Sequence, residues 1–446
     1  MTYTCFECGY RSIKRFGRCP RCGAWDSMQE TKSEGGKAPS SWLGEDLRPI
    51  SELDLADVRR TPTGMSEFDR LLGGGLVPGA VVLFGGEPGI GKSTLLLQVC
   101  EALAANVGPV LYVSGEESEG QVKLRASRLG VNSERLYVLS EQTLDRIEPA
   151  IEQVRPHTLV VDSVQTMRCG DVDGEAGSVR QLRAVTGELI RITKKQHITT
   201  FLVGHITKEG SFAGPKTVEH LVDVAVYLEG DRGEDIRMLR SVKNRFGATN
   251  EVAVFQMDED GLTEINDPSQ FFLTEREDDP RAGAAIVPVL EGTRPILVEL
   301  QALVSPTGGY GIPQRRCTGL DVNRILLLLA VIDRRLAIPV GGADVYLSVA
   351  GGLTVRERAA DLAAIAAIVS SLRNRALPPH TALVGEVDLA GEVRRVQRLP
   401  DRVREAAKSG YRRILVPGAG AATIEEGIDV VPVSSIERAI AELTLE

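Results

Sequence analysis

The sequence has 446 residues, a formal net charge of −9 at pH 7, 43% hydrophobic residues and 25% charged residues. At roughly 150 residues per domain, this length predicts about three domains, and the composition excludes a largely disordered chain. The longest strongly apolar run, residues 325–332, is far shorter than the roughly 20 residues that span a bilayer, and the N-terminus does not resemble a signal peptide. We therefore expect a cytoplasmic protein without a membrane partner, whose contacts with nucleic acid depend on local basic patches.

The first segment of the chain, residues 1–28, has the cysteine spacing of a metal site. Four of the seven cysteines follow the pattern C-x2-C-x10-C-x2-C, at Cys5, Cys8, Cys19 and Cys22. Two such pairs supply the four thiolates of a structural zinc site, and so short a segment has little apolar core to fold on without a metal. A redox-active C-x-x-C is the alternative, but it needs only one pair. The segment is predicted to be a zinc finger whose basic residues either contact DNA or a protein partner or form a solvated face.

Residues 29–59 are rich in Gly, Ser, Pro and charged residues and are predicted to be a linker. An ATPase domain is predicted over residues 60–272, organised around the stretch VVLFGGEPGIGKST at residues 81–94. This stretch fits G-x-x-x-x-G-K-[ST] between a buried strand and an apolar helix, which is the context that a P-loop requires. Lys92 is predicted to reach the β- and γ-phosphates of ATP and Ser93 to bind Mg²⁺. The predicted ATP contacts are Gly86, Glu87, Pro88, Gly89, Ile90, Gly91, Lys92, Ser93 and Thr94.

Beyond the P-loop, strands alternate with helices, which predicts an α/β core with a parallel sheet and helices on both faces. Chemistry in such sheets lies at the carboxyl ends of the strands, where the sequence places Glu116, Asp162 and His205. Asp162 is predicted to hold Mg²⁺, and Glu116 to orient and deprotonate the attacking water, with Glu117 as the competing candidate. His205 is predicted either to sense the γ-phosphate or to be structural.

Two further stretches follow these strands, at residues 165–195 and 207–217. The first carries Arg180, Arg183, Arg191, Lys194 and Lys195. Loops in these positions are able to couple the nucleotide state to a ligand in a central channel, and basic residues there would contact phosphates with little sequence preference.

Five motifs together resemble one family: GGEPGIGKST, YVSGEES, LVVDSVQT, GHITKEGSFAGPKTVEH and KNRFG. Behind a four-cysteine N-terminus they resemble the RadA/Sms family of bacterial DNA-repair ATPases, over almost the whole chain. The resemblance implies a RecA-like core that uses ATP, Mg²⁺ and Zn²⁺. It also implies a homohexameric, DNA-stimulated motor on single-stranded and branched DNA that promotes branch migration, with RecA recombinase as a possible partner.

The motif KNRFG, residues 243–247, follows a strand predicted at residues 235–242. We expect this strand at the far edge of the core, so that Lys243 and Arg245 reach the ATP site of an adjacent subunit and act as arginine fingers do. A surface cation pair and a contact with DNA phosphate are the alternatives.

An acidic joint at residues 273–280 precedes a predicted α+β domain, residues 281–446, that resembles the proteolytic domain of Lon. An ungapped alignment places Ala360 at the nucleophilic Ser and Pro400 at the basic Lys of active Lon domains, which predicts that the peptidase is lost. A shift of a few residues would bring Ser370 or Lys408 into play. The domain is then a platform on which Arg394, Arg395 and Arg398 follow DNA phosphates. A Lon-like protease and a nucleotide-dependent scaffold are the competing functions.

Overall fold

The structure is a computed structural model that describes residues 2–8, 10–12, 14, 16–31, 59–205, 213–230, 235–273, 281–307, 312–418 and 427–445. The chain divides into two compact units, Met1–Val58 and Arg59–Glu446. The predicted linker beyond residue 31, most of the predicted loop at 207–217 and the joint beyond residue 273 lie outside the described residues. Within the described residues, no helix has the length and apolar character that crossing a membrane requires.

The first unit contains a small antiparallel sheet of three strands in the order β2-β1-β3. These are β1 (Thr2–Cys5), β2 (Arg11–Ser12) and β3 (Met28–Thr31). Tyr3 pairs with Ser12 on one side and with Glu30 on the other. Apolar burial is limited here: Cys5 and Cys19 form its small core, with Tyr3, Cys8 and Tyr10 packed against them. A core of this size agrees with a segment that depends on metal for its fold.

The second unit begins with a nine-stranded sheet in the order β12-β11-β10-β9-β4-β8-β7-β5-β6. Its strands are β4 (Val81–Gly86), β5 (Val110–Ser114), β6 (Leu136–Ser140), β7 (Thr158–Asp162), β8 (Thr199–His205), β9 (Val224–Glu229), β10 (Ile236–Asn244), β11 (Val252–Asp258) and β12 (Gly261–Glu264). Strands β4 to β9 pair in parallel, whereas β10, β11 and β12 extend the sheet in antiparallel pairs. The predicted α/β fold of the core is confirmed.

Helices cover both faces of the parallel strands. They are α1 (Ser66–Leu71), α2 (Lys92–Asn106), α3 (Glu119–Arg128), α4 (Leu144–Val154), α5 (Val179–Gln196) and α6 (Ala213–Leu221). Helix α5 buries Leu182, Val185, Leu189 and Ile192, a spacing of three or four residues that places them on one face. That face packs with β4 and β7 in one apolar cluster, whereas α2 packs in a second cluster on the opposite face.

The expected position of KNRFG at the far edge of the sheet is wrong. Strand β10 continues through Lys243 and Asn244, which pair with Ala225 and Val224 of β9 after a bulge between Ser241 and Lys243. Two further strands, β11 and β12, lie beyond β10. The sequence does not reveal this continuation, because the last residues of the strand are polar and a bulge interrupts the pattern. Backbone pairing, and not side-chain hydrophobicity, extends the strand to Asn244.

The C-terminal part has a seven-stranded mixed sheet in the order β15-β16-β14-β13-β17-β20-β21, and a separate two-stranded ribbon of β18 and β19. The strands are β13 (Ala284–Glu291), β14 (Arg294–Pro306), β15 (Arg315–Thr318), β16 (Ala343–Val349), β17 (Thr381–Leu383), β18 (Glu386–Val387), β19 (Val393–Arg394), β20 (Arg413–Pro417) and β21 (Asp429–Val433). The helices are α7 (Pro268–Phe272), α8 (Val322–Arg335), α9 (Asp361–Arg373), α10 (Leu399–Lys408) and α11 (Ile436–Glu442). Helix α9 is buried on all sides over residues 361–370, so it forms the centre of this part.

Strands β10 and β11 contribute to two apolar cores at once. Val252 and Val254 pack with C-terminal residues in one cluster, whereas Ala253 and Phe255 pack with the P-loop strand in another. This alternation follows the two-residue period of a strand. The C-terminal part therefore packs directly on the outer face of the ATPase sheet, and the two parts share an apolar core.

Candidate functional site

The P-loop leaves the end of β4 at Gly86, and α2 begins at Lys92. At two glycines of this loop there is no room for a side chain. A Cβ on Gly86 would lie 2.6 Å from the Leu228 carbonyl oxygen, and a Cβ on Gly91, whose φ is 114°, would lie 2.5 Å from the Met257 methyl group. These glycines let the loop close against β9 and β11, with backbone N–H groups at the start of α2 available to phosphate.

Lys92 is buried within this loop. Only 4% of the residue is exposed, and its Nζ donates hydrogen bonds to the carbonyl oxygens of Gly86 and Glu87, both at 2.8 Å. Burial lowers the pKa of Lys92 to about 8, although the charges of Asp162 and Glu116 act in the opposite direction. An anionic phosphate would supply the countercharge that the two carbonyl groups lack.

Asp162 and His205 are the last residues of β7 and β8, and Glu116 follows β5 by two residues. Ser114 at the end of β5 is in register with Asp162, so the three predicted side chains lie at one edge of the sheet. Asp162 is 9% exposed, and its Oδ2 accepts a hydrogen bond from the buried Tyr112 hydroxyl. One buried carboxylate beside the P-loop fits the oxygen ligands that Mg²⁺ prefers.

Glu116 is the centre of a short polar chain. Its Oε1 accepts hydrogen bonds from the Ser163 hydroxyl at 2.5 Å and from His205 Nε2 at 3.0 Å. Burial alone would raise the pKa of Glu116, but these two donors, the charge of His205 and the charge of Lys92 lower it overall. Its side chain remains 44% exposed, so the carboxylate is ionised and open to water, as a general base requires.

Glu117, the competing candidate, points to a different neighbour. Its carboxylate forms an ion pair with Arg125 of α3, and its backbone N–H donates to the Ser114 hydroxyl at 3.0 Å. This ion pair holds Glu117 against α3 and favours Glu116 as the residue that faces the P-loop edge.

Three polar residues of this region were not predicted as site residues. Ser163 contacts Glu116 directly, and Tyr112 contacts Asp162. Arg237 of β10, only 6% exposed, donates from Nε to the Ile90 carbonyl oxygen of the P-loop at 3.2 Å. Each of these contacts joins residues on different strands or loops. The spacing of residues within a motif therefore does not predict them.

Lys243 and Arg245 lie at the opposite end of the sheet from the P-loop. Lys243 Nζ donates to the carbonyl oxygens of Glu219 and His220 at the end of α6, at 2.8 and 3.1 Å. Arg245 pairs with Asp223 at 3.3 Å, and Asp223 also accepts from the N–H of Val81, the first residue of β4, at 3.1 Å. The P-loop leaves the other end of β4, so the chain does not bring these two cations to its own nucleotide site.

The four N-terminal cysteines converge as predicted. The sulfur atoms of Cys5, Cys8, Cys19 and Cys22 all lie within 4.8 Å of one another. The Cys5 thiol also donates to the Ser27 hydroxyl oxygen at 3.3 Å, and Ser27 donates to the Ala24 carbonyl oxygen at 3.0 Å. Four converging thiols fit a closed, structural Zn²⁺ site.

Comparison with known proteins identifies the family. A rubredoxin metal binding domain matches residues 3–30, and an AAA domain matches residues 48–211. The DNA repair protein RadA of Bacillus subtilis is 47% identical over 449 residues, covering 98% of this chain and 97% of the relative. RadA of Streptococcus pyogenes is 48% identical over 441 residues, with the same coverage of both chains. The chain belongs to the RadA family of DNA repair proteins.

The recognised family accounts for the two sites. The AAA domain of a RadA-family chain hydrolyses ATP with Mg²⁺, and the zinc ribbon holds Zn²⁺, so the predicted cofactors are confirmed. Among solved structures, the KaiC-like protein PH0186 of Pyrococcus horikoshii aligns with 47% of this chain and 99% of its own, at 22% identity and a TM-score of 0.40.

Proposed function

We propose that this RadA-family chain is a DNA-dependent ATPase of the helicase type, which moves on single-stranded and branched DNA and promotes branch migration in recombinational repair. The supporting observation is that two strands end at the site and the chain continues from them into the segments proposed to contact DNA. Asp162 and His205 end their strands at the site, and the chain then continues into residues 163–178 and 206–212. Asp162 and His205 are thus one residue away in the chain from the segments proposed to touch DNA.

We assign the steps of hydrolysis to residues that lie together. Residues 86–94 bind the triphosphate, Lys92 neutralises the β- and γ-phosphates, and Ser93 and Asp162 hold Mg²⁺, which supplies charge neutralisation. Glu116 accepts the proton of the attacking water, and His205 changes its partner from Glu116 to the γ-phosphate when ATP is present. The contact of His205 Nε2 with Glu116 supports that exchange, because the imidazole is already within hydrogen-bond distance of the base.

DNA contact is proposed along helix α5. Arg180 and Arg183 are exposed near its start, next to the segment that follows β7. Among the described residues neither has a carboxylate partner, whereas Arg191 and Lys194 pair with Glu188 and Asp223. Arg394 and Arg398 of the C-terminal part instead pair with Asp388 and Asp401, so α5 is the stronger candidate for phosphate contacts.

The test compares ATPase rates with and without single-stranded DNA, together with branch migration of a three-stranded junction. A motor gives a DNA-stimulated rate and ATP-dependent migration, and both disappear in Lys92→Ala. A scaffold gives a rate that DNA does not change. Arg180→Ala with Arg183→Ala should reduce the stimulation but keep the basal rate, whereas the exposed Arg146→Ala on α4 serves as the matched control.

We further propose that six copies form a ring in which Lys243 and Arg245 act on the ATP of the adjacent subunit. Their distance from the P-loop of their own chain supports action in trans, since a cation at the far end of the sheet contributes nothing to its own site. Mixing Lys243→Ala with Lys92→Ala subunits tests this, because a trans role predicts partial recovery at intact interfaces. No recovery at any ratio, with loss of DNA binding in Lys243→Ala alone, favours a phosphate contact instead.

We also propose that the C-terminal part, residues 281–446, is not a peptidase. Ser370, the shifted nucleophile candidate, is fully buried; its hydroxyl donates to the Arg375 carbonyl oxygen at 2.5 Å and accepts from the Gly283 N–H at 2.9 Å. Lys408 pairs with Asp267 at 3.6 Å, so this candidate base has a carboxylate partner instead. Incubation with casein, ATP and DNA should give no cleavage, and cleavage lost in Ser370→Ala would contradict the proposal.

The domain bounds, the cellular location and a protein partner are proposed as well. We propose a zinc finger at 1–28, a linker at 29–59, the ATPase region at 60–272, a joint at 273–280 and the Lon-like part beyond it. We propose a cytoplasmic location, where bacterial DNA is, and RecA recombinase as a partner, which co-precipitation on single-stranded DNA would test.

A further inference from the structure

Ser163 follows Asp162 and is fully buried. Its hydroxyl donates a 2.5 Å hydrogen bond to Glu116 Oε1, the oxygen that His205 Nε2 also contacts at 3.0 Å. A serine has one hydroxyl proton to donate, and here it is directed to this carboxylate. Both donors bind the same oxygen, so Oε2 of Glu116 is the oxygen left for other partners.

The backbone around Ser163 is fixed from both sides. The Ser163 carbonyl oxygen accepts from the Thr166 hydroxyl at 2.7 Å and from the Thr166 N–H at 3.2 Å. The Asp162 carbonyl oxygen accepts from the Gly115 N–H at 2.7 Å, and a Cβ on Gly115 would lie 2.1 Å from the Thr166 hydroxyl oxygen. The segment that carries the hydroxyl is therefore locked against the segment that carries the carboxylate.

The two donors to Glu116 differ in their freedom to move. The His205 side chain is 31% exposed and is the last residue of β8, whereas Ser163 is buried and held by the bonds just described. When His205 contacts a γ-phosphate it gives up Glu116, and Ser163 remains. A carboxylate that kept no donor would sample several rotamers, at a cost in orientation.

We propose that Ser163 is a positioning residue for ATP hydrolysis: its hydroxyl holds Oε1 of Glu116 so that Oε2 faces the attacking water. This inference rests on the proposed role of Glu116. The water oxygen forms the new bond to the γ-phosphorus and its proton passes to Oε2. The bond between the γ-phosphorus and the bridging oxygen breaks, and its electron pair leaves with ADP.

The experiment measures kcat and KM for ATP in Ser163→Ala, Ser163→Cys and Ser163→Thr, with Ser140→Ala as the matched control. Ser140 is also at a strand end, and its hydroxyl donates to the Glu117 carbonyl oxygen at 3.2 Å, away from the Glu116 carboxylate. Loss of a hydrogen bond to a charged group predicts a fall in kcat of about tenfold or more in Ser163→Ala, with KM within about twofold. Ser163→Cys, a weak donor, should be intermediate, and Ser140→Ala should match the parent.

A Glu116→Gln background separates this inference from the proposed function. If Ser163 acts through Glu116, adding Ser163→Ala to Glu116→Gln lowers the residual single-turnover rate by less than about twofold. An equal loss in both backgrounds, or a parent-like kcat in Ser163→Ala, would overturn the inference while Glu116 keeps its role. A parent-like rate in Glu116→Gln alone would instead reject Glu116 as the base. Binding of a non-hydrolysable ATP analogue confirms that each variant is folded.

Discussion

Burial of the Lys92 ammonium group makes its charge responsive to pH near neutrality. Its pKa lies at about 8, so the group loses its proton as the pH rises through that value. A bound triphosphate favours the charged form and raises the pKa. Binding of ATP at pH 8.5 should therefore take up a proton.

Calorimetry of ATP binding in two buffers of different ionisation enthalpy measures this uptake. Lys92→Arg is the matched variant, because a guanidinium stays charged at pH 8.5. The parent should show a larger proton uptake than Lys92→Arg. Equal uptake in the two proteins would show that Lys92 already carries its proton without nucleotide.

The pair Glu116 and Glu117 allows the general base to be identified by two isosteric changes. Glu116→Gln removes a base but keeps a hydrogen-bond acceptor, so ATP should stay bound while kcat falls by about 10² to 10⁴. Glu117→Gln removes only an ion pair with Arg125, whose two side chains are 25% and 31% exposed, and its kcat should stay within a few-fold. The reverse pattern in steady-state ATPase assays would assign the base to Glu117.

Helix α10 shows at the scale of an element how the C-terminal part is held together. Arg402 is 1% exposed; it pairs through two nitrogens with Glu357, and its Nη1 also donates to the Pro288 carbonyl oxygen at 2.6 Å. Replacing it with Ala removes the buried guanidinium and its contacts, and leaves Glu357, whose side chain is 25% exposed, with the Leu290 N–H at 2.7 Å as a donor. We expect the free energy of unfolding to fall by about 2 to 4 kcal/mol, measured by denaturant titration.

Arg404 of the same helix is the control for this change. Its side chain is 61% exposed and pairs with Asp401 at 3.0 Å, and exposed pairs contribute about 0 to 1 kcal/mol. Arg404→Ala should therefore unfold at nearly the parental denaturant concentration. Similar losses in Arg402→Ala and Arg404→Ala would mean that burial of the guanidinium does not determine stability here.

The P-loop, the strand ends and the cysteine cluster could be predicted because their signals are local. Residues 86–94 are consecutive, and Asp162 and His205 are marked by the apolar strands before them. By contrast, the contacts of Ser163 with Glu116 and of Arg237 with Ile90 cross 47 and 147 positions of the chain, and single-sequence patterns do not report such distances. The extension of β10 through Lys243 was missed for a related reason, since a bulge and polar side chains mask backbone pairing.

At the scale of the whole molecule, the zinc ribbon is a unit of its own. Three of its four cysteines belong to its small core and the fourth, Cys22, is exposed, so metal binding supplies much of its folding free energy. Cys8→Ser with Cys19→Ser should abolish the one zinc ion per chain, measured by metal analysis, and should unfold residues 1–31 alone. The thermal unfolding of the ATPase part should not change, and a lower transition there would contradict the independence of the two units.

The last prediction compares truncation of the chain at its two ends. Ile236, Val252 and Val254 on the outer face of β10 and β11 are buried against C-terminal residues, and the seam also carries ion pairs of Arg240 with Glu291 and of Arg294 with Glu67. A chain that ends at residue 273 exposes this apolar face, and such patches promote aggregation. Removal of residues 1–58 leaves this seam intact, because all of its residues lie within Arg59–Glu446.

Size-exclusion chromatography and thermal unfolding of the two truncated chains test this comparison. The chain that begins at residue 59 should elute without aggregates and unfold at the parental temperature. The chain that ends at residue 273 should aggregate or unfold at a clearly lower temperature, and replacing Val252 and Val254 with Thr should restore solubility because the exposed strand face becomes polar. If the chain that ends at residue 273 instead remains soluble and hydrolyses ATP at the parental basal rate, the ATPase sheet is stable without its C-terminal cover, and the shared core between the two parts is not what holds β10 and β11 in place.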